Sequence, residues 1–192
     1  IVVWVPLNES WGVQEIWKDP MQQAHSMAAY HITKSLDRTR PVVDNDGWEH
    51  TCGDLLTIHD YEGNASVLLE RYMEMERILK YRPGGKDLFA YGYGYVERPV
   101  IVSEYGGVRF AQEGTDGWGY SSDNDPHNYV QHVASLTAAL LRSPHVQGYC
   151  YTQLCDVESE QNGLLTYERK PKVDLKLIRE ANDGNWAVNE TD

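Results

Sequence analysis

Phenylalanine is nearly missing from this chain of 192 residues: there are 2, against 13 tyrosines and 6 tryptophans. Tyrosine and tryptophan pair a flat apolar face with a polar tip, which suits sugars as well as ordinary packing. Cations are also short, with 17 Lys and Arg against 29 Asp and Glu and a formal net charge of -12. That balance excludes the basic surface that nucleic acid or an anionic membrane requires. Cysteine is sparse, only Cys52, Cys150 and Cys155. With no CxxC or other ligand spacing, no zinc site is expected. The odd count favours reduced, buried thiols and a cytoplasmic setting, with one disulfide left open. No apolar run approaches the ~20 residues of a membrane span. There is no initiator Met and no signal peptide, and the first residues already read as a strand. The sequence therefore reads as a piece of a longer protein, with any targeting signal upstream and the localisation open.

What is present is enough for a folded domain: hydrophobic residues make up 41% and the length supports one sizeable core. Ile1–Val5 is a β-branched run closed by Pro6, as in a strand buried on both faces. Asp19-Pro20 opens a helix over 20–36. Residues 41–44 and 55–59 read as the next strands. Asn64 caps a helix over 65–81, its apolar positions at helical spacing, stopped by Pro83-Gly84-Gly85. Residues 99–103 form a fourth strand, 105–125 a long loop, 126–142 a helix, 146–151 a fifth strand and 173–180 a last helix. Apolar strands alternating with helices predict an α/β fold around a parallel sheet.

The polar residues that interrupt this pattern fall just after strands: Asn8 and Glu9, Asp44 to Asp46, His59 to Tyr61, Glu104 and Tyr105, and Tyr151 to Asp156. In a (β/α)8 barrel, chemistry gathers at those C-terminal ends. Glycoside cleavage needs two carboxyl groups across one bond, one protonated and one ionised. Glu9 and Glu104 each follow an apolar strand, so both would face the barrel mouth. An arbitrary Glu is more often a solvated loop or capping residue; the corresponding positions of these two shift the balance. The acidic run Asp156, Glu158, Glu160 reads as a solvated or capping segment, with no metal geometry.

Val5-Pro6-Leu7-Asn8-Glu9-Ser10-Trp11-Gly12 resembles the Asn-Glu acid/base motif that ends barrel strand four in clan A glycosidases. Pro99-Val100-Ile101-Val102-Ser103-Glu104-Tyr105-Gly106-Gly107 resembles their strand-seven nucleophile motif. Arg40 to Asp44, Ile58 to Tyr61 and Tyr149 to Leu154 fit strands five, six and eight. Together they resemble glycoside hydrolase family 2, which includes β-galactosidases, β-glucuronidases and β-mannosidases. Gln161-Asn162-Gly163-Leu164-Leu165 is similar to that family's barrel end.

The resemblance implies that residues 1–192 are the C-terminal portion, strands four to eight, of a catalytic TIM barrel. It implies a retaining β-galactosidase-like hydrolase that needs no cofactor, with β-glucuronidase or β-mannosidase as alternatives. A non-catalytic carbohydrate-binding module on the same scaffold is the reading from another class. Glu9 would be the acid/base and Glu104 the nucleophile. Asn8 would hydrogen-bond the sugar 2-hydroxyl and Tyr61 would hold Glu104 ionised. Trp11, Asp44, Trp48, His59, Tyr151 and Gln153 are further sugar-contact candidates. Tyr151 stands where relatives often carry a Trp, which leaves the sugar open. Arg109 is the nearest cation that could read a uronate. If strands one to three are absent, five strands cannot close a barrel. The isolated chain is then expected to be inactive and to self-associate or be covered by its missing N-terminal half. Upstream β-sandwich domains are also expected.

Overall fold

The computed structural model describes residues 1–110 and 116–186. Its elements are α1 (Pro20–Leu36), β1 (Leu56–Asp60), α2 (Ala65–Tyr72), α3 (Met75–Lys80), β2 (Val100–Gly106), β3 (Val108–Phe110), β4 (Ser121–Asp123), α4 (Pro126–Leu141), β5 (Val146–Thr152) and α5 (Leu175–Asn182). Helices mix with parallel strand pairings, as the alternating pattern predicts. One sheet has the order β1-β2-β5 and a smaller one pairs β3 with β4. The chain divides into two compact units.

The first unit holds residues 1–60, 74–104 and 145–149. Every residue of β1 is buried. Leu56, Ile58, Val100 and Val102 form its core with Ile16, Val42, Val43 and Ile78. α1 starts where the sequence says: Asp19 accepts a hydrogen bond from the Met21 amide at 2.9 Å, with Pro20 at the first helical position. A short side-chain acceptor there satisfies an amide that has no helical partner.

The opening run is a correction. Ile1 and Val2 are exposed, not buried on both faces, and Val5 is partly so. Instead of a ladder there are two parallel bridges, Trp4 to Val42 and Asn8 to Asp46. They are held by Trp4 N to Pro41 O (3.0 Å), Val43 N to Trp4 O (2.9 Å), Asp46 N to Leu7 O (2.9 Å) and Glu9 N to Asp46 O (3.0 Å). Pro6 lies between the two bridges and has no N–H to donate, so the ladder is interrupted there. The pairing still carries residues 8 and 9 alongside residue 46.

The second unit holds residues 61–73, 105–144 and 150 onward. α4 packs against α2, α5, β3 and β4. Asp125 caps α4 by accepting from the His127 and Asn128 amides, each at 2.9 Å. The predicted loop over 105–125 contains β3 and β4, which pair in parallel from Val108–Ser121 to Phe110–Asp123; its residues 111–115 lie outside the described ones. The predicted helix over 65–81 is two helices. Glu74 is extended (φ -134°, ψ 129°), so Tyr72 is buried in the second unit and Ile78 in the first. The three cysteines are not joined in disulfides, and contrary to expectation Cys150 is exposed and the other two half-buried.

Candidate active site

The first unit brings Glu9, His59 and Glu104 together. One donor atom from each lies within 4.8 Å of the others. Glu104 belongs to β2 and His59 to the end of β1. Glu9 lies in the turn after the Asn8–Asp46 bridge.

His59 is the hub, its ring fully buried. Nδ1 is 2.8 Å from Glu9 Oε1 and 3.4 Å from Glu104 Oε2. Nε2 is 3.3 Å from Asp46 Oδ2, off the line of a good hydrogen bond. Asp46 is fixed from the other side by the Ser103 hydroxyl, which donates at 2.7 Å. Above the ring, Gly47 has φ +98°, and any Cβ there would press on the His59 ring at 2.8 Å. Only glycine fits this turn. Trp48 meets the same ring edge-on at 5.6 Å, with its indole N–H buried and no partner among the described residues.

The electrostatics follow from this arrangement. Burial pushes the imidazole toward its neutral form; the carboxyl groups of Asp46, Glu9 and Glu104 around it more than reverse this, raising its pKa to about 9. Asp46 responds in the opposite sense. Desolvation disfavours its charge, but His59 and Ser103 stabilise the carboxylate more, and its pKa falls below the usual range. At neutral pH the buried imidazole is cationic and lies between the ionised Asp46 and the carboxyl groups of Glu9 and Glu104. The same atoms are close enough to share a cation, but an imidazolium has no lone pair to offer it.

A raised folded-state pKa for His59 contributes stability that is complete below the unfolded value of 6.5 and is lost as pH rises through about 9. The contribution is on the order of 3 kcal/mol. Denaturant melts across pH 6.5 to 9 should show the wild type losing most of that margin, while His59→Gln gives a nearly flat profile. Parallel profiles would contradict the ion cluster.

Glu9 has φ 53° and Ser10 φ 59°, a left-handed pair without glycine that costs about 1–3 kcal/mol per residue. Asn8 is exposed; its carbonyl accepts from the Trp11 amide at 2.9 Å, and Trp11 itself is largely exposed. Asp44 is held differently from Asp46. It is fully buried and accepts from Thr51 N (2.6 Å), Thr51 Oγ1 (2.9 Å) and Cys52 N (3.1 Å), with His50 Nδ1 at 3.1 Å. Its carboxylate is therefore occupied by the chain itself, and Asp46 is the strand-end acid that reaches the cluster. Nothing in the run Asp44-Asn45-Asp46 distinguishes the two until the bridge to Asn8 sets the register.

The other candidates belong to the second unit. Tyr61 stacks on Tyr120 at 3.5 Å and 5°. Tyr151 accepts from the Val108 amide at 3.2 Å and meets Tyr105 edge-on; burial raises its pKa well above the usual value. Gln153 donates to the Asn162 side chain at 2.8 Å, and Arg109 reaches Gln161 at 3.4 Å. Asp156 is no free acid, being paired with the buried Lys172 at 2.7 Å.

No family model matches the sequence, and no curated protein sequence is similar to it. Solved structures are similar in fold. A GH2 β-galacturonidase from Eisenbergiella tayi, bound to galacturonate, aligns over 95% of this chain and 33% of its own, with TM-score 0.61 and 16% identity. A β-D-glucuronidase of Dictyoglomus thermophilum gives 0.59 and 15%, over 95% of this chain and 31% of its own. A β-glucuronidase from an uncultured Clostridium gives 0.57 and 16%, over 95% and 32%. The chain thus spans about a third of the length of these glycosidases and shares the fold of that third.

Proposed function

We propose that this chain carries the catalytic pair of a retaining β-glycosidase of the family 2 kind, on strands four to eight of a (β/α)8 barrel. The observation that carries the reading is the approach of Glu9 and Glu104 to within 4.8 Å around His59. Carboxyl groups about 5–5.5 Å apart suit a retaining mechanism, whereas inversion needs about 6.5–9.5 Å to admit a water. Glu104 attacks the anomeric carbon while Glu9 gives its proton to the departing oxygen. Glu9 then removes a proton from water as that water releases the sugar from Glu104. His59, cationic between them, lies 2.8 Å from Glu9 and 3.4 Å from Glu104 and so helps hold the two side chains on one side of the site.

The preferred substrate is a neutral β-galactoside, because the described groups nearest the pair are the carboxylates and His59. The uronide-cleaving neighbours favour a second reading, a β-uronidase. Nitrophenyl β-galactoside, β-glucuronide, β-galacturonide and β-mannoside, given to the full-length protein that contains this chain, separate the two. Turnover of the galactoside with the β-anomer released first is expected. Uronide turnover alone would replace the substrate. Hydrolysis of none of them would favour a binding module.

A further inference from the structure

The left-handed pair Glu9–Ser10 is held by a buried polar frame that the catalytic reading does not use. The Ser10 amide donates to Asn45 Oδ1 at 2.9 Å, and the Ser10 hydroxyl donates to Glu49 Oε2 at 2.5 Å. Asn45 Nδ2 donates both to Ser10 Oγ at 3.0 Å and to the Trp48 carbonyl at 2.7 Å. Ser10, Asn45 and Glu49 are all buried. Glu49 is itself left-handed, with φ 52°, and its second oxygen meets Lys86 Nζ at 3.2 Å. A buried carboxylate is costly unless paired. Here one is bonded to a hydroxyl one residue from Glu9 and balanced by a half-exposed lysine.

Local sequence preference does not produce this turn, since neither Glu nor Ser favours positive φ. The frame over-determines it, and strain maintained in this way marks a position whose geometry matters. We propose that Ser10, Asn45 and Glu49 are positioning residues that aim the Glu9 carboxyl at the glycosidic oxygen, with Lys86 neutralising Glu49. This rests on the reading of Glu9 as acid/base. A misplacement of about 1 Å is enough to lower an acid-assisted step roughly 100-fold.

The test uses the full-length protein and aryl β-glycosides graded by leaving group. Departure of dinitrophenolate needs little acid assistance, whereas departure of phenol needs much. Ser10→Ala and Glu49→Gln should lower kcat/KM about 10- to 100-fold on the phenyl glycoside and less than about 3-fold on the dinitrophenyl one. Ser10→Gly separates aim from strain, because glycine adopts positive φ freely and should fold at least as well. The proposal expects the same leaving-group dependence from it. Full activity of Ser10→Gly on phenyl glycosides, or equal losses on both substrates in all three variants, would overturn it. Glu9→Gln is the reference: if it lacks this dependence, the acid/base reading fails, and the frame's role with it.

Discussion

On the proposed reading, Glu104→Gln in the full-length protein is expected to remove at least about 10,000-fold of the turnover, because an amide cannot form the covalent intermediate of a retaining route. The fold should survive. Glu104 is partly exposed at the end of the sheet, and glutamine keeps its size. A second consequence identifies the electrostatic role of the residue. The Glu104 charge is one of the groups that raise His59 toward a pKa of about 9. Removing it lowers the imidazole pKa, so the alkaline loss of stability begins at lower pH in the variant than in the wild type. Steady-state rates and pH-dependent melts on one preparation read both effects. Substantial residual turnover would place the nucleophile elsewhere.

On the same reading, Glu9→Gln is expected to lower turnover of poor leaving-group substrates about 100- to 10,000-fold, the range usual for a lost general acid. Activated aryl glycosides should still form the glycosyl-enzyme, but its hydrolysis stalls without a base. Added azide, an anion that needs no deprotonation, should restore turnover and give a β-glycosyl azide. Glutamine can still accept from His59 Nδ1, now 2.8 Å from Glu9 Oε1, so the change tests the proton and not the scaffold. An equal loss for every leaving group, with no response to azide, would count against the assignment.

Much of the fold was legible because it rests on local signals. β1, Leu56-Thr57-Ile58-His59-Asp60, is buried throughout and overlaps the strand read at 55–59, and α1 and α4 each open at an Asp-Pro pair. The break between α2 and α3 was not legible, since residues 65–81 contain neither Gly nor Pro and their apolar spacing continues across Glu74. β3 and β4 escaped notice as three-residue strands inside a polar loop.

The site divides in the same way. Glu9 and Glu104 stand out as carboxylates directly after apolar runs, and His59 was a candidate on the same grounds. Its part as a hub is visible only once Asp46 lies behind it. Asp46 and Asp44 are two residues apart, and only the register with Asn8 decides which reaches the cluster. Ser10, Asn45 and Glu49 carry no sequence signal of strain, because their left-handed or buried states are imposed by side-chain bonds across 35 to 39 residues.

The most direct measurement is covalent trapping. A 2-deoxy-2-fluoro β-glycoside with an activated leaving group slows release of the sugar more than its capture. Incubated with the full-length protein, it should add one fluoro-sugar mass, and digestion should place that mass on the peptide at Glu104. A label on another residue, or hydrolysis of the natural glycoside with no adduct and the α-anomer released first, would contradict a double displacement carried by Glu9 and Glu104.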